Sequence, residues 1–227
     1  MEVGDECDPG TLRYPDSDGG TGLSQAVEEK APACRHTPRI SPLPQQEWGP
    51  AITAMISLVG PLNVVRTLGR HPALCRHWFG LGATLLFRGT LPAHHRELAI
   101  LRTAHLNACP YEQVHHVRAG REAGLSEAHI DAVTAEADEF AWRPEESAVL
   151  AAVDELHSTG SISEGTWGML SRQHDERQII ELVMLVGYYR MTAHAINALR
   201  IPLEDWAMCS PPADQESADS SENNYTS

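Results

Sequence analysis

"LPAHHRELAILRTAHLNACPYEQVHHVRAGREAG", residues 91–124, carries two helical patterns separated by a short break. After Pro92, Leu98, Leu101 and Leu106 recur at helical spacing. Pro110 stands where a second helix opens, because proline at the first helical position gives up only an N–H that has no intrahelical partner. Gly124 ends that helix as a natural C-cap. Residues 107–109 alone separate the two segments. A tight turn there is expected to fold the helices back together and to bring Glu97 near His116.

The same reading extends in both directions. Upstream, "PLNVVRTLGRHPALCRHWFGLGATLLF" (61–87) gives two helices split near Gly69–Pro72, with Trp78, Leu81, Leu85 and Leu86 on one face of the second. Downstream, Ser126 caps a short helix, "SEAHIDAV", with Glu127 in its first turn. "PEESAVLAAVDELHSTG" (144–160), a short helix near Thr166–Ser171 and the long "DERQIIELVMLVGYYRMTAHAINAL" (175–199) follow. No alternating β-branched runs are joined by a hairpin turn, so the fold is expected to be all-α. "RELAILRTAHL" (96–106) and "IELVMLVGYYR" (180–190) form a weak internal repeat in which Glu97 matches Glu181. Helices this apolar on more than one face call for partners beyond their own chain, and a homo-oligomer is the simplest.

Charge separates the core from the ends. The net charge of −14 falls largely outside the helical region: residues 1–30 hold eight acids against two bases, and residues 210–227 hold four acids and no base. Residues 1–45, rich in Gly, Pro, Asp and Ser, read as a disordered acidic leader, 46–209 as the helical domain, and 210–227 as a disordered acidic tail. The absence of a basic stripe argues against nucleic acid as a partner. "MEVGDECDPG" lacks the pattern of a signal peptide, and the longest apolar run, "LVMLVGYY", is short for a bilayer span, so a cytoplasmic chain with no membrane partner is expected. Five cysteines without a C-x-x-C pair argue against a disulfide framework or a zinc site. Lys30 is the sole lysine, which excludes a Schiff-base lysine in the core.

The chemistry-bearing residues concentrate at the start of the 110–124 helix. Cys109 falls at its N-cap, with Glu112 and His116 at i+3 and i+7, so all three share one face. The helix dipole at Cys109 favours its thiolate. A carboxylate such as Glu97 touching the His116 imidazole fixes its tautomer and suits it to proton transfer. A lone helical histidine is more often structural; three reactive types on one face strengthen the functional reading. Glu112-x-x-His115 has the spacing of one di-iron ligand pair, but such sites need a second pair and two further glutamates, so no metal is expected. The doublets His94–His95 and His115–His116 point about 100° apart on a helix and cannot chelate one ion together. Tyr188 and Tyr189 read either as pocket lining or as a buried aromatic pair.

These residues resemble a known family. "LPAHHRELAILRTAHLNACPYEQVHHVRAGREAGLSEAHIDAV" looks like the carboxymuconolactone decarboxylase family, whose members read L-P-x-x-x-R-E-L-x-I-L-R, then Y-E-x-x-x-H, then A-G-L-S. "DERQIIELVMLVGYYRMTAHAINALRIPLED" is similar to that family's second repeat, and the match spans roughly residues 50–206. The resemblance implies an all-helical, alkylhydroperoxidase D-like fold with two repeated helical motifs, assembled into trimers or hexamers. Alkylhydroperoxidase D, a thiol peroxidase of the same superfamily, carries a glutamate, a C-x-x-C and a histidine at the positions of Glu97, Cys109, Glu112 and His116. Here the second cysteine has become Glu112, so a dithiol cycle has no local resolving partner.

The resemblance further implies a decarboxylase acting on a small carboxylated lactone. Electrons released with CO₂ run into the lactone carbonyl, so the substrate is its own electron sink and no cofactor is needed. His116 would donate the proton, oriented by Glu97, while Glu112 tunes that histidine or repels the leaving carboxylate. Tyr111, His115 and Arg190 are further candidates for gripping the substrate. The alternatives are a single-cysteine peroxidase using Cys109 and a non-catalytic helical assembly module.

Overall fold

Pro50, Pro72, Pro110 and Pro144 each stand in the first turn of a helix, where the fixed φ of proline is already helical. A computed structural model describes residues 37–134 and 140–208. Among these, ten α-helices and no strand occur: α1 Pro50–Val59, α2 Asn63–Leu68, α3 Pro72–Phe87, α4 Ala93–Leu106, α5 Pro110–Glu122, α6 Glu127–Thr134, α7 Pro144–Ser158, α8 Glu164–Gln173, α9 Glu176–Leu199 and α10 Asp205–Met208. The all-α expectation holds, and α8 extends beyond the 166–171 segment that the sequence suggested.

α4 is the centre of the fold. Leu98, Ala99, Ile100, Leu101 and Ala104 are all fully buried, so α4 must be covered on every side rather than along one stripe. Leu98 and Leu101 pack with Val117 of α5, Leu125, and Ile130 and Val133 of α6. Ala99 and Ile100 face the other way, onto Val149 and Val153 of α7 and Leu182, Leu185 and Val186 of α9. A third apolar cluster joins α1, α2 and α3 to Ala193 and Ile196 of α9, with Cys75 and Cys109 inside it. Trp78 and Leu86 pack against the central cluster and Leu85 belongs to it, but Leu81, expected on the same face, is exposed.

The break at 107–109 is the tight turn that the spacing demands. The Cys109 N–H donates to Ala104 O at 2.9 Å, and Asn197 Nδ2 of α9 donates to Asn107 O at 2.9 Å. Ala108 adopts φ +47°, a left-handed conformation that costs a side-chain-bearing residue roughly 1–2 kcal/mol. α5 therefore runs back along α4. It ends as expected at Gly124, whose φ of +91° is cheap only for glycine and lets the Leu125 N–H reach Gly120 O at 2.8 Å.

Two sequence readings need adjustment. The packed chain begins before residue 46: Leu43 is buried, the Arg39 N–H donates to Leu199 O, and Arg70 donates to Ser41 O. The rest of the expected leader, residues 1–36, and the tail 210–227 lie outside the described residues. By length and composition α9 could also cross a bilayer, which the short apolar run did not suggest; half of its apolar window is buried against this fold.

The two helices whose sequences resemble each other give their matching glutamates different duties. Glu97 of α4 faces α5. Glu181 of α9, its counterpart, accepts the N–H groups of Thr90 and Leu91 at 2.6 and 2.7 Å and pins the loop that enters α4.

Candidate active site

α4, α5, α9 and α3 enclose a cavity of about 130 Å³, comparable to the roughly 150 Å³ cavities that hold one benzene ring. Glu97, Glu112, His115 and His116 contribute to its wall, with Tyr111, Trp78, Phe79, Tyr188 and Tyr189. Tyr188 stacks on Trp78 at 5.8 Å between centroids, and Tyr189 meets the His116 ring edge-on at 4.9 Å. Gly82 of α3 is required for this close fit, since a Cβ there would strike the Tyr188 hydroxyl.

The antiparallel return of α5 sets His116 Nδ1 2.7 Å from Glu97 Oε2. The other carboxylate oxygen of Glu97 accepts from Arg96 Nε at 2.9 Å, a contact the sequence reading did not include. Burial alone would push the Glu97 carboxyl up, but the His116 imidazole and the Arg96 guanidinium outweigh it and hold the group below its ordinary value. Glu97 is thus an ionised, fully committed carboxylate. With Nδ1 held by it, Nε2 is the imidazole nitrogen left for a ligand.

Glu112 behaves in the opposite way. It stands at the third position of α5, where a glutamate often folds back to cap the helix start. Here the Cys109 N–H is already taken by Ala104 O. The Glu112 side chain is buried in the cavity wall, and neither oxygen has a hydrogen-bond partner among the described residues. Burial raises its pKa well above the ordinary carboxylate value. Burial disfavours the charged form, so the acid is shifted toward its neutral state, which has an O–H to donate. Burial also raises the Tyr188 phenol, and Glu112 adds to that shift.

Cys109 does not match the expectation of a dipole-stabilised thiolate. Its side chain is fully buried in the apolar cluster behind the cavity and is not part of the wall. Burial first, and the neighbouring Glu112 second, push the thiol up to about 12, and hydrogen bonds from nearby backbone N–H groups do not offset this.

Tyr111 and His115 reach the cavity, but the Tyr111 hydroxyl and the His115 Nε2 are turned to another residue. Tyr111 Oη donates to Glu204 Oε1 at 2.5 Å, and His115 Nε2 lies 2.8 Å from Glu204 Oε2. The backbone N–H of Asn63 closes the set at 2.6 Å. Against the penalty of burial, these hydrogen bonds and the His115 ring hold the Glu204 carboxyl below its usual range. Glu204 follows α9 and lies 89 residues from His115, so no local pattern in the sequence pointed to it. Arg190 is displaced from the site altogether. Its Nη1 donates to the carbonyl of His157 at 3.1 Å, so its charge caps the C-terminal end of α7. Arg118 is the arginine that lines the cavity, at its more exposed edge.

Residues 72–155, from α3 through most of α7, match the carboxymuconolactone decarboxylase family. The likeness to that family is confined to this segment, about a third of the chain. The segment contains Glu97, Cys109, Glu112 and His116, while Tyr188, Tyr189 and Glu204 lie beyond it. No curated protein matches the chain. Solved structures share the alkylhydroperoxidase D-like fold. An uncharacterised peroxidase-related protein from Silicibacter sp. TM1040 is 17% identical with a TM-score of 0.63, over 80% of this chain and 96% of that one. A peroxidase-related protein with an alkylhydroperoxidase core from Ralstonia eutropha JMP134 is 18% identical with a TM-score of 0.62, over 74% of this chain and 90% of that one. The debrominase Bmp8 is 16% identical with a TM-score of 0.63, over 74% of this chain and 94% of that one. At these identities the likeness concerns the fold. The chemistry rests on the cavity itself.

Proposed function

We propose that the chain is a cofactor-free carboxy-lyase acting on a small carboxylated lactone or related one-ring acid. The Glu97–His116 pair, set in the wall of a cavity sized for one ring, carries this reading. The C–CO₂ bond breaks, its electron pair passes through the ring double bond into the lactone carbonyl, and protonated His116 then delivers a proton to the α-carbon. Glu97 stabilises the imidazolium while it waits. Glu112 does not repel the leaving carboxylate, because burial favours its neutral form. Its O–H instead donates to the enolate oxygen as charge develops there. Arg118 replaces Arg190 as the cation that meets the substrate's carboxylate.

The fold's ability to hold a single small ring is supported by the debrominase Bmp8, one cysteine-to-alanine variant of which is described in complex with 2,3,4-tribromopyrrole. The burial of Cys109 speaks against a peroxidase that relies on this thiol. Ile180, Met184 and Met191 of α9, with Trp167 of α8, are exposed apolar residues that a second copy of the chain would cover.

The deciding experiment is incubation of the purified protein with a γ-carboxylated butenolide acid while following CO₂ release. The reading predicts turnover that His116→Gln lowers by about 10²–10⁴-fold while the protein stays folded. Wild-type activity in His116→Gln overturns the mechanism.

A further inference from the structure

A second cluster of chemistry-bearing side chains lies outside the cavity wall. Among the described residues, His94 of α4, His129 of α6 and Glu146 of α7 form the one group whose donor atoms converge, all within 4.8 Å of one another. Glu146 Oε1 is the shared vertex, 2.7 Å from His94 Nε2 and 3.6 Å from His129 Nε2. Ligands about 2.0–2.1 Å from a tetrahedral zinc ion stand about 3.3 Å apart. The two observed distances bracket that edge.

The surroundings suit an ion. Glu146 is fully buried, and the two imidazoles are partly open to solvent, so a carboxylate forms the base of the group and one side admits an ion. Ser126 Oγ lies 2.6 Å from His129 Nδ1 and the Ser126 N–H reaches the same nitrogen at 3.3 Å, so Ser126 fixes the ring with Nε2 turned toward Glu146. Phe140 and Trp142 pack against the same ring.

One side chain competes for the place. Arg143 Nη2 lies 2.7 Å from Glu146 Oε1 and 3.2 Å from His94 Nε2. Arg143 Nε donates to the same oxygen at 2.9 Å, and the guanidinium that makes both bonds is more than half exposed. The cap of α7 does not depend on it for the bond to the other oxygen, since the backbone N–H of Arg143 donates to Glu146 Oε2 at 2.8 Å. One carboxylate oxygen thus holds the helix and the other faces a replaceable cation.

We propose that His94, His129 and Glu146 bind one zinc-class divalent ion, which displaces the Arg143 guanidinium. Two nitrogens and one oxygen leave a fourth position for water. The ion would tie α4, α6 and α7 together at a point one helical turn from Glu97.

Titration of the full-length protein with Zn²⁺ against a chromophoric chelator tests this, with Co²⁺ as a spectroscopic substitute. The expected result is one equivalent bound, with the visible absorption of tetrahedral Co²⁺. His94→Ala and His129→Ala should each weaken binding at least tenfold with unchanged circular dichroism. Arg143→Ala should tighten it several-fold, because the competing cation is gone. Absence of binding by the wild-type protein overturns the proposal. So does an affinity indifferent to both histidine variants, or one that Arg143→Ala leaves unchanged.

Discussion

His116 Nδ1 and Glu97 Oε2 stand 2.7 Å apart although nineteen residues separate them in the chain. A three-residue turn makes that contact, and Arg96 completes it by holding the other carboxylate oxygen. The imidazole is therefore oriented before any substrate arrives, so the two members of the pair differ in what their loss should do. His116→Gln removes the proton donor and should lower kcat by about 10²–10⁴-fold. Glu97→Gln keeps the donor but loses its orientation and its counter-charge. A smaller fall in kcat is expected, with a changed pH–rate profile, both read from initial rates of CO₂ release.

The burial of Cys109 leads to a prediction about reactivity. Cys109→Ala should retain most of the activity and cost about 1 kcal/mol or less of stability, since only one sulfur leaves an apolar cluster. In the native protein the thiol should react with a thiol-specific disulfide reagent only after denaturation. Rapid labelling of native Cys109, identified by mass spectrometry, would contradict this.

Glu112 links stability to pH in an unusual direction. Its folded pKa is raised, so above the ordinary carboxylate value of about 4.3 the unfolded chain has released a proton that the folded chain still holds. Stability from this residue is full at low pH and declines as pH rises through that window. Glu112→Gln, which is always neutral, should match the wild type near pH 4 and become progressively more stable relative to it as pH rises above the ordinary carboxylate value. Paired thermal melts across that range measure the difference.

Glu204 has the opposite sign. Its folded pKa is depressed, so its contribution is present above the ordinary carboxylate range and is lost as pH falls through and below it. Glu204→Ala should destabilise the protein by about 3 kcal/mol at neutral pH, because Tyr111, His115 and the Asn63 N–H lose a buried acceptor together. Denaturant unfolding at pH 7 and at pH 3 should show that penalty shrinking in acid.

Much of the scaffold was readable because its signals are local. Proline at helix starts, glycine at the end of α5 and leucines at helical spacing each act within a turn or two. The short break at 107–109 also carried the approach of α5 to α4. What escaped the sequence reading depends on distant chain segments. Arg190 looked like a substrate anchor until α7 ended beside it with carbonyls to cap. Tyr111 and His115 looked available because Glu204, which occupies them, arrives only after α9. The dipole at Cys109 pointed toward a thiolate, but it is a partial charge, and full burial beside Glu112 overrides it. Arg96 is the exception: it was adjacent to Glu97 throughout, and only the rotamer reveals the bond.

Glu181 matches Glu97 along the sequence, yet it grips two backbone amides instead of an imidazole. Of two similar helical segments, then, one glutamate serves as a fastener and the other as a tool. A carboxylate inherited at a given helical position acquires its meaning from whatever the opposite helix presents to it. Two equivalent reaction centres should therefore not be sought in one chain. The two glutamates divide anchoring and proton handling between the two helices of one scaffold.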